Sequence, residues 1–206
     1  MPPTLYTWNT PNGLKPVLML EELGAPYELV KVNLGAGEQK TPAFLDRNAN
    51  GRIPVLETEL DGERVAIAES AAILIHLAEA HGDRFLPSRG APRARALQWA
   101  FFQMGSIGPM FGQLGHWRRA TPANDEAIAR YDAETRRLYG VLDGQLGRGR
   151  YLAGDEYTIA DMLTLFWSRD PSYFGLSLDA WPNVQRWVRE LEARPAVQRT
   201  LAIEWR

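Results

Sequence analysis

A turn near the N-terminus carries two side chains that can donate hydrogen bonds. It is written NTPNG, residues 9–13, and it lies between a strand-like and a helix-like stretch. A threonine hydroxyl and an asparagine amide are both hydrogen-bond donors, and the start of a helix favours an anion. The turn is therefore either a simple connection or a place where Thr10 and Asn12 face a ligand at the mouth of the helix.

Pro54 stands at the start of a strand-like pattern, between Ile53 and Val55. Proline donates no hydrogen bond to a β-ladder, so it belongs at an edge or a strand start. A cis Ile53–Pro54 bond would leave the N–H and C=O of Ile53 pointing outward, where a peptide ligand can pair as an added strand. An ordinary edge proline explains the same pattern.

Glu69 and Ser70 stand at the start of a helical pattern. Ser70 and the first N–H groups of a helix can hold a carboxylate, and Glu69 can hold an ammonium beside it. Together they would suit the head group of an α-amino acid. The alternative is that Glu69 only complements the helix dipole and Ser70 only caps the helix.

The chain contains no cysteine among its 206 residues. This excludes disulfides, thiolate metal sites, a cysteine nucleophile and a C-x-x-C redox pair. Any sulfur chemistry must therefore use sulfur from a substrate. The three histidines lack the H-E-x-x-H spacing, so we expect no metal.

Charge and hydropathy narrow the functional class further. The net charge is −2 and no run of basic residues is present, so we expect no nucleic-acid partner. The apolar stretches are too short to span a bilayer, so no membrane partner is expected. The N-terminus lacks the basic and apolar regions of a signal peptide, which predicts a cytoplasmic protein.

The first part of the chain has the element order β-α-β-α-β-β-α. A β-α-β start predicts a right-handed parallel crossover, and the Asp61–Gly62 turn predicts an antiparallel pair. Strand patterns cover residues 4–7, 27–34 and 52–58, and residues 61–67 supply the turn and a short fourth strand. Helical patterns cover residues 14–23 and 69–80, with a further helix opening at Thr41 and Pro42. This describes a small mixed sheet with helices on its faces.

After a Gly- and Pro-rich linker, only helical periodicity follows. The predicted helices span residues 93–117, 123–146, 158–168, 182–192 and 196–203. We therefore predict two domains, an α/β domain over residues 1–82 and an all-α domain over residues 92–206. Thr158 and Asp161 form a capping box with a structural role only.

Aromatic residues surround a Gly-rich helical stretch in the second domain. Glycine inside a helix is unfavourable by about 1 kcal/mol relative to alanine, so several of them suggest a kink or a close approach. Core packing explains most of these aromatic residues, while some could line an apolar pocket facing the first domain. The candidates for such a pocket are Met104, Phe111, Trp117 and Phe166.

The order of these features along the chain is more specific than any one of them. The sequence resembles the glutathione S-transferase superfamily over its whole length, and it is most similar to the Nu-class (Ure2-like) branch. The stretches that carry the resemblance are TPNGLK, VNLGAGEQKTPAFL, NGRIPVL, ESAAILIHLAE, GSIGPMFGQ and RYDAETRRLYGVLDGQL. The resemblance implies a thioredoxin-like N-terminal domain, an all-helical C-terminal domain, glutathione as co-substrate and a homodimer.

The resemblance also implies a role for each candidate site residue. Thr10 and Asn12 would lie near the glutathione sulfur as catalytic donors. The glutathione-binding set would be Thr10, Asn12, Gln39 at the glycine end, Arg52, Ile53 and cis Pro54 at the cysteinyl unit, Glu69 and Ser70 at the γ-glutamyl group, and Arg137 reaching toward the partner subunit's site. Tyr6 precedes the turn and is not assigned the role of the catalytic tyrosine used by other classes.

The implied chemistry needs no ionising side chain. A thiol with a pKa near 8.5 needs about 2.7 kcal/mol of preference for its anion to ionise about two pH units lower. Hydrogen bonds to charged groups contribute about 1.5–3 kcal/mol each, and a helix N-terminus adds up to about 1 kcal/mol. Two donors and the helix are therefore sufficient.

Two functions remain open from the sequence. The first is a glutathione-dependent enzyme that reduces disulfide bonds or conjugates small electrophiles with the same thiolate. The second is a non-catalytic module of the same fold that serves in binding or regulation. Retention on immobilised glutathione and turnover of a disulfide or an electrophile would separate them.

Overall fold

The N-terminal strand and helix form where their sequence patterns predict them. In the computed structural model, which describes residues 2–205, strand β1 spans Thr4–Thr7 and helix α1 spans Pro11–Leu23. Thr10 is the N-cap, and its hydroxyl oxygen accepts a hydrogen bond from the Gly13 N–H at 3.0 Å. The helix ends at Gly24, whose φ of 64° is the left-handed conformation that glycine adopts readily.

The four predicted strands form one mixed sheet. Strands β2 (Glu28–Lys31), β3 (Val55–Leu60) and β4 (Glu63–Ala68) join β1 in the order β2-β1-β3-β4. Strands β1 and β2 are parallel, and the other two pairings are antiparallel. Asp61 and Gly62 both have positive φ, 51° and 81°, as a tight hairpin turn between twisted strands requires. The predicted topology is therefore confirmed.

Helices pack against this sheet because contact with it buries their apolar faces away from water. A 3₁₀ turn over Glu38–Lys40 and the short helix α2 (Pro42–Leu45) connect β2 to β3, and helix α3 spans Ser70–Ala80. The fully buried core of this unit includes Leu5, Val17, Leu18, Leu20, Leu56, Ile73 and Leu74. These side chains come from two strands and from the facing sides of α1 and α3.

Within the described residues, the second unit is built of helices and their connections, with one isolated β-bridge between Tyr151 and Gly154. Its helices are α4 (Gly90–Phe102), α5 (Gly108–Trp117), α6 (Asp125–Leu146), α7 (Ile159–Ser168) and α8 (Pro182–Glu192). A π-helical segment, Gln103–Ile107, separates α4 from α5, where the sequence predicted one helix over residues 93–117. At Gly108 a Cβ atom would lie 3.0 Å from the Gln103 Nε2 of the π-helical segment, and at Gly115 it would lie 2.8 Å from the Tyr173 ring. The predicted close approach is therefore made both within this stretch and to a segment that follows α7.

The capping box predicted in the second unit is confirmed. Thr158 is the N-cap of α7, and Asp161 completes the box from the third helical position. The Asp161 carboxylate also accepts hydrogen bonds from the Leu152 N–H at 3.0 Å and from the Trp187 indole at 2.9 Å. One buried carboxylate therefore joins a loop and two helices.

The last helix, α9 (Pro195–Leu201), packs with the first unit. By backbone contacts, the chain up to Arg84 and the segment from Arg194 onward form one unit, and Phe85–Ala193 forms the other. Ion pairs of 2.6 Å join Arg194 to Glu22 and Arg199 to Glu21 on α1. The predicted boundaries, 1–82 and 92–206, differ from this division at the C-terminal end. Among residues 2–205, no helix combines the length and apolar character needed to cross a membrane.

Candidate active site

The strand register brings four connecting segments to one edge of the sheet. Tyr6 near the end of β1 pairs with Val55 at the start of β3, and Val55 pairs with Ala68 at the end of β4. Thr7 pairs with Lys31 at the end of the parallel strand β2. The segments that continue from these strand ends carry Thr10 and Asn12, Gln39, Ile53 and Pro54, and Glu69 and Ser70. Eight of the predicted glutathione-binding residues, counting Arg52, thus belong to segments that meet at this edge.

Gly13 is essential to the turn after β1. A Cβ atom at Gly13 would lie 2.0 Å from the Trp8 carbonyl oxygen and 2.6 Å from the Thr7 hydroxyl oxygen. The Thr7 hydroxyl also donates a 2.9 Å hydrogen bond to the Gly13 carbonyl. Gly13 therefore lets the Trp8 carbonyl and the Thr7 hydroxyl approach closely, which locks the turn that presents Thr10 and Asn12.

Thr10 acts as a helix cap and keeps a donor. Its hydroxyl oxygen accepts the Gly13 N–H, but a hydroxyl can accept and donate at the same time. The capping interpretation and the ligand-donor interpretation of Thr10 are thus compatible. Both Thr10 and Asn12 are partly exposed.

The Ile53–Pro54 peptide bond is cis, as the family resemblance implied and as one of the two interpretations of the strand start allowed. Pro54 is buried and Ile53 is partly exposed. Within residues 2–205, no hydrogen bond engages the backbone N–H or C=O of Ile53. An extended peptide can therefore pair with this residue as it would with a sheet edge. The neighbouring Arg52 is exposed, and its carbonyl accepts a 2.7 Å hydrogen bond from Asn48.

The junction between β4 and α3 has an unusual backbone. Glu69 has a φ of 69°, in the left-handed region that glutamate rarely adopts, and its side chain is exposed and makes no capping hydrogen bond. Ser70 is the first residue of α3 and is buried, so the alternative in which Ser70 is the helix cap is wrong. Residues held in such conformations cluster at functional sites.

Gln39 lies in the 3₁₀ turn that follows β2. Its side-chain Oε1 is buried and accepts no hydrogen bond from any residue that the structure describes. Buried amide oxygens are normally satisfied. Gln39 therefore has acceptor capacity for a donor from outside the described chain.

Tyr6 is engaged away from the turn. Its hydroxyl donates a 3.2 Å hydrogen bond to Glu57, and the Arg47 guanidinium lies 4.6 Å from its ring centre. This arrangement agrees with its exclusion as a catalytic tyrosine.

Lys15 is the residue that the sequence reasoning missed. It has no exposed surface, and its ammonium donates a 2.8 Å hydrogen bond to the Asn12 Oδ1 and lies 3.5 Å from the Ser70 Oγ. Burial lowers the pKa of Lys15 from its ordinary value of 10.5 to about 7, while the negative charge of Glu69 opposes the change. The available signal was a lone lysine beside the apolar positions of α1, where such a residue ordinarily indicates the solvent face.

The predicted site residues of the second unit lie in different environments. Phe111 has no exposed surface and packs on Tyr139 and Phe174, with ring centres 4.9 and 5.5 Å apart, so it is a core residue. Phe166 is also buried, whereas Met104 and Trp117 are partly exposed.

Arg137 is exposed on α6. It forms a 2.7 Å ion pair with Glu134 on the same helix. Among the described residues, no group of three His, Asp or Glu side chains is placed to hold a metal ion.

Comparison with known families identifies this arrangement. The model described as the glutathione S-transferase N-terminal domain matches residues 1–79, and the model described as the C-terminal domain matches residues 96–195. The chain belongs to the glutathione S-transferase family. The recognised resemblance and the predicted fold class are thereby confirmed.

Individual transferase relatives are similar over almost the whole chain. The Escherichia coli disulfide-bond oxidoreductase YfcG is 41% identical over 201 residues, which are 96% of this chain and 93% of the relative. A Burkholderia graminis glutathione transferase structure, solved with two glutathione molecules per subunit, has a TM-score of 0.89 at 41% identity and covers 97% of this chain and 87% of its own. A Pseudomonas putida glutathione transferase structure, solved with one glutathione disulfide per subunit, has a TM-score of 0.90 at 37% identity and covers 98% and 91%.

Proposed function

We propose that this chain is an enzyme that uses the thiolate of bound glutathione to reduce disulfide bonds. The observation that carries the proposal is the meeting of the Thr10–Asn12 turn, the Ile53 backbone and the Glu69–Ser70 junction at one sheet edge. Glutathione has a thiol, a central peptide unit and an amino-acid head group. Each of the three segments matches one of these parts.

The head group and the peptide unit are assigned first. The Glu69 carboxylate would hold the γ-glutamyl ammonium, while Ser70 and the positive N-terminus of α3 would hold the γ-glutamyl carboxylate. The Ile53 backbone would pair with the cysteinyl unit as an added strand. Gln39, with its buried and unoccupied acceptor, would take the glycine end beside Arg52.

The thiol is assigned to the turn at the start of α1. The Thr10 hydroxyl and the Asn12 amide would each donate a hydrogen bond to the sulfur, and each such bond to an anion contributes about 1.5–3 kcal/mol. The N-terminus of α1 adds up to about 1 kcal/mol. Their sum exceeds the roughly 2.7 kcal/mol that separates a thiol of pKa 8.5 from one ionised about two pH units lower.

The absence of cysteine selects the route of exchange. The bound thiolate attacks one sulfur of the substrate disulfide, forms a glutathione–substrate mixed disulfide and releases the other substrate sulfur as a thiolate. A second glutathione thiolate then attacks the glutathione sulfur of that mixed disulfide. This step releases the remaining substrate thiolate and leaves glutathione disulfide, so two glutathione molecules supply the two electrons. No protein thiol takes part, since the chain has none.

The names of the relatives and the ligands bound in their solved structures support this scheme. The Escherichia coli relative is named a disulfide-bond oxidoreductase. The Burkholderia graminis structure holds two glutathione molecules per subunit, and the Pseudomonas putida structure holds glutathione disulfide. In the scheme proposed for this chain, these are the two reductants and their product.

The decisive experiment compares two reactions of one thiolate. Purified protein is assayed for glutathione-dependent reduction of hydroxyethyl disulfide, with glutathione reductase reporting the glutathione disulfide formed, and for conjugation of chlorodinitrobenzene. We expect the disulfide to be the better substrate. Preferred conjugation would instead indicate a transferase, and glutathione binding without either reaction would indicate a non-catalytic module.

A homodimer is part of the proposal, and Arg137 is the residue that would act across it. Arg137 and its ion-pair partner Glu134 line an open depression of about 510 Å³ on α5 and α6. In the single chain, Phe101 on α4 is 62% exposed, and in the proposed dimer a second subunit would cover this aromatic side chain. Analytical ultracentrifugation should show a dimer, and Arg137→Ala should weaken glutathione affinity without unfolding the protein.

A second-substrate pocket in the helical unit is proposed with a smaller set of residues. Met104 and Trp117 are partly exposed and remain candidates, and Phe166 is kept with less accessible surface, since it is 7% exposed. Phe111 is omitted because it lies wholly in the core. Substitution of Met104 or Trp117 should change the preference among disulfide substrates more than the affinity for glutathione.

A further inference from the structure

A fully buried lysine contacts two of the residues that are proposed to bind glutathione. Lys15 lies in α1 within the run Gly13–Leu20, all of which is buried. Its Nζ lies 2.8 Å from the Asn12 Oδ1 and 3.5 Å from the Ser70 Oγ. Burying an ammonium is unfavourable unless it is hydrogen-bonded, so its position beneath both residues calls for an explanation.

The contact with Lys15 decides which way the Asn12 amide faces. The oxygen and nitrogen of an asparagine side chain have nearly the same shape, and their orientation follows from their hydrogen-bond partners. An ammonium has three donors and no acceptor. It therefore requires the Asn12 oxygen on its own side and turns the Asn12 NH₂ group to the opposite side.

We propose that Lys15 is a positioning residue for glutathione chemistry, which acts by holding the Asn12 amide with its NH₂ group toward the glutathione sulfur. This inference rests on the proposed function, in which Asn12 donates to the thiolate. A thiolate accepts hydrogen bonds only, so an amide turned the other way would present its oxygen and repel the anion. Lys15 thus makes Asn12 a donor without touching the substrate itself.

The charges around Lys15 set the conditions under which it works. Glu69, at the start of α3, favours the ammonium, while burial opposes it, and the resulting pKa is about 7. On the same helix, Glu21 is paired with Arg199 of α9, and Glu22 is paired with Arg194, which immediately precedes α9. The charged groups that act on His76 of α3 are Glu79 and His81, and Lys15 is not one of them.

A thiolate bound at Asn12 would add negative charge beside the ammonium and favour its protonated form. The thiolate and the ammonium should therefore stabilise each other. A neutral amine can also accept a hydrogen bond, so loss of the Lys15 proton removes the constraint on the Asn12 amide.

The experiment measures ionisation of the bound thiol by its ultraviolet thiolate absorbance as a function of pH. We expect Lys15→Met to raise the thiol pKa of bound glutathione by about one unit, so that about tenfold less thiolate forms at neutral pH. Affinity for S-methylglutathione, which has no ionisable thiol, should change by less than about twofold. The matched control is Lys31→Met, which makes the same substitution at an exposed lysine on β2 and should leave both values unchanged.

A double-mutant cycle tests whether Lys15 acts through Asn12. In an Asn12→Ala background, Lys15→Met should raise the thiol pKa much less than it does alone, because the amide that it positions is gone and only the field of the ammonium is lost. Methionine has a similar volume and removes a buried charge, so folding should persist, and a thermal melt checks this. Should Lys15→Met fail to fold, Lys15→Gln serves, because its side chain is one bond shorter and loses the contact with Asn12.

Three results would overturn the inference. The thiol pKa could be unchanged in Lys15→Met, or it could rise equally in the Asn12→Ala background, or S-methylglutathione affinity could fall as far as glutathione affinity. If the unmodified protein already fails to ionise its bound thiol more readily than free glutathione ionises, the proposed function fails, and this inference fails with it. The first three results leave the proposed function standing.

Discussion

Lys15 in the first unit and Asp161 in the second are both charged residues without exposed surface, but they are held differently. Asp161 accepts hydrogen bonds from the backbone of Leu152, from the backbone and hydroxyl of Thr158, and from the indole of Trp187. All of these donors belong to the frame of the helical unit. Lys15 instead contacts the side chains of Asn12 and Ser70, both of which we assign to a ligand.

The two buried charges serve different purposes. Burial raises the pKa of Asp161 to about 6 and lowers the pKa of Lys15 to about 7, so both are moved toward their neutral forms. Four hydrogen bonds oppose the change at Asp161, whereas the field of Glu69 opposes it at Lys15. We infer that Asp161 holds elements together, while Lys15 prepares side chains for a reactant.

Of the substitutions at the two buried charges, Asp161→Ala should lower the free energy of unfolding most. Asp161→Ala removes the acceptor of the Leu152, Thr158 and Trp187 donors, which stay buried. We expect the free energy of unfolding in urea to fall by about 3 kcal/mol or more, because each unsatisfied buried donor costs about 1–3 kcal/mol. Turnover per folded molecule should not change.

The control for Asp161 is Asp155→Ala, at an exposed aspartate six residues earlier. It should change the free energy of unfolding by no more than about 0.5 kcal/mol. A loss below about 1 kcal/mol in Asp161→Ala would contradict the structural role of its carboxylate.

Asn12→Ala should affect catalysis more than stability. Loss of one hydrogen bond to a thiolate corresponds to about 1.5–3 kcal/mol, or roughly 10- to 100-fold in turnover. Glutathione affinity should fall less, because the head-group and peptide contacts remain. The free energy of unfolding should fall by about 1 kcal/mol, since the Lys15 ammonium loses an acceptor.

Asn124→Ala is the matched control for Asn12. Asn124 caps α6 by accepting a 2.9 Å hydrogen bond from the Ala127 N–H, so its loss should also cost about 1 kcal/mol of stability. Its turnover should stay as in the unmodified protein. Equal turnover in Asn12→Ala and Asn124→Ala would remove Asn12 from the site.

Two threonine caps, one in each unit, allow a matched pair of substitutions. Thr10 and Thr158 are both N-caps with extended backbone, and each accepts a hydrogen bond from the first turn of its helix. Replacement of either by alanine should cost about 1 kcal/mol of unfolding free energy. Only Thr10→Ala should also lower turnover, because its hydroxyl is a proposed donor to the thiolate. Steady-state kinetics that find equal activity for the two variants would contradict that role.

Local patterns in the sequence predicted most of the frame and much of the site. Alternation and helical spacing gave the order of strands and helices, and a serine- or threonine-type cap with an acid three residues on gave the box at Thr158 and Asp161. The missing N–H of proline placed Pro54 at a strand start, where a cis bond was one of two possibilities, and the family resemblance selected it. These signals are local because each depends on residues close together in the chain.

The features that were missed depend on distant contacts. Arg194 and Glu22 are 172 positions apart, so nothing local indicated that α9 packs with the first unit. The positive φ of Glu69 could not be predicted from its residue type, because glycine is the usual residue in that conformation. Lys15 was missed because only tertiary packing distinguishes a buried lysine from one on a solvent face.

The free energy of unfolding should also change with pH, and the sign of the change differs between the two buried charges. The pKa of Asp161 is raised from 3.8 to about 6, so its contribution is present below 3.8 and is lost as the pH rises through about 6. The pKa of Lys15 is lowered from 10.5 to about 7, so its contribution is present above 10.5 and is lost as the pH falls through about 7.

Lys15→Met isolates the alkaline part of this dependence. Between about pH 7 and pH 8 the unmodified protein should gain about 1 kcal/mol of unfolding free energy relative to the variant, because the unfolded chain still binds the lysine proton that the folded chain releases. Urea unfolding at a series of pH values measures the difference between the two proteins. Lys31→Met, which alters an exposed lysine, should follow the unmodified protein throughout. Parallel curves for Lys15→Met and the unmodified protein would mean that the Lys15 ammonium stays charged up to its ordinary pKa, and the contrast with Asp161 would then be lost.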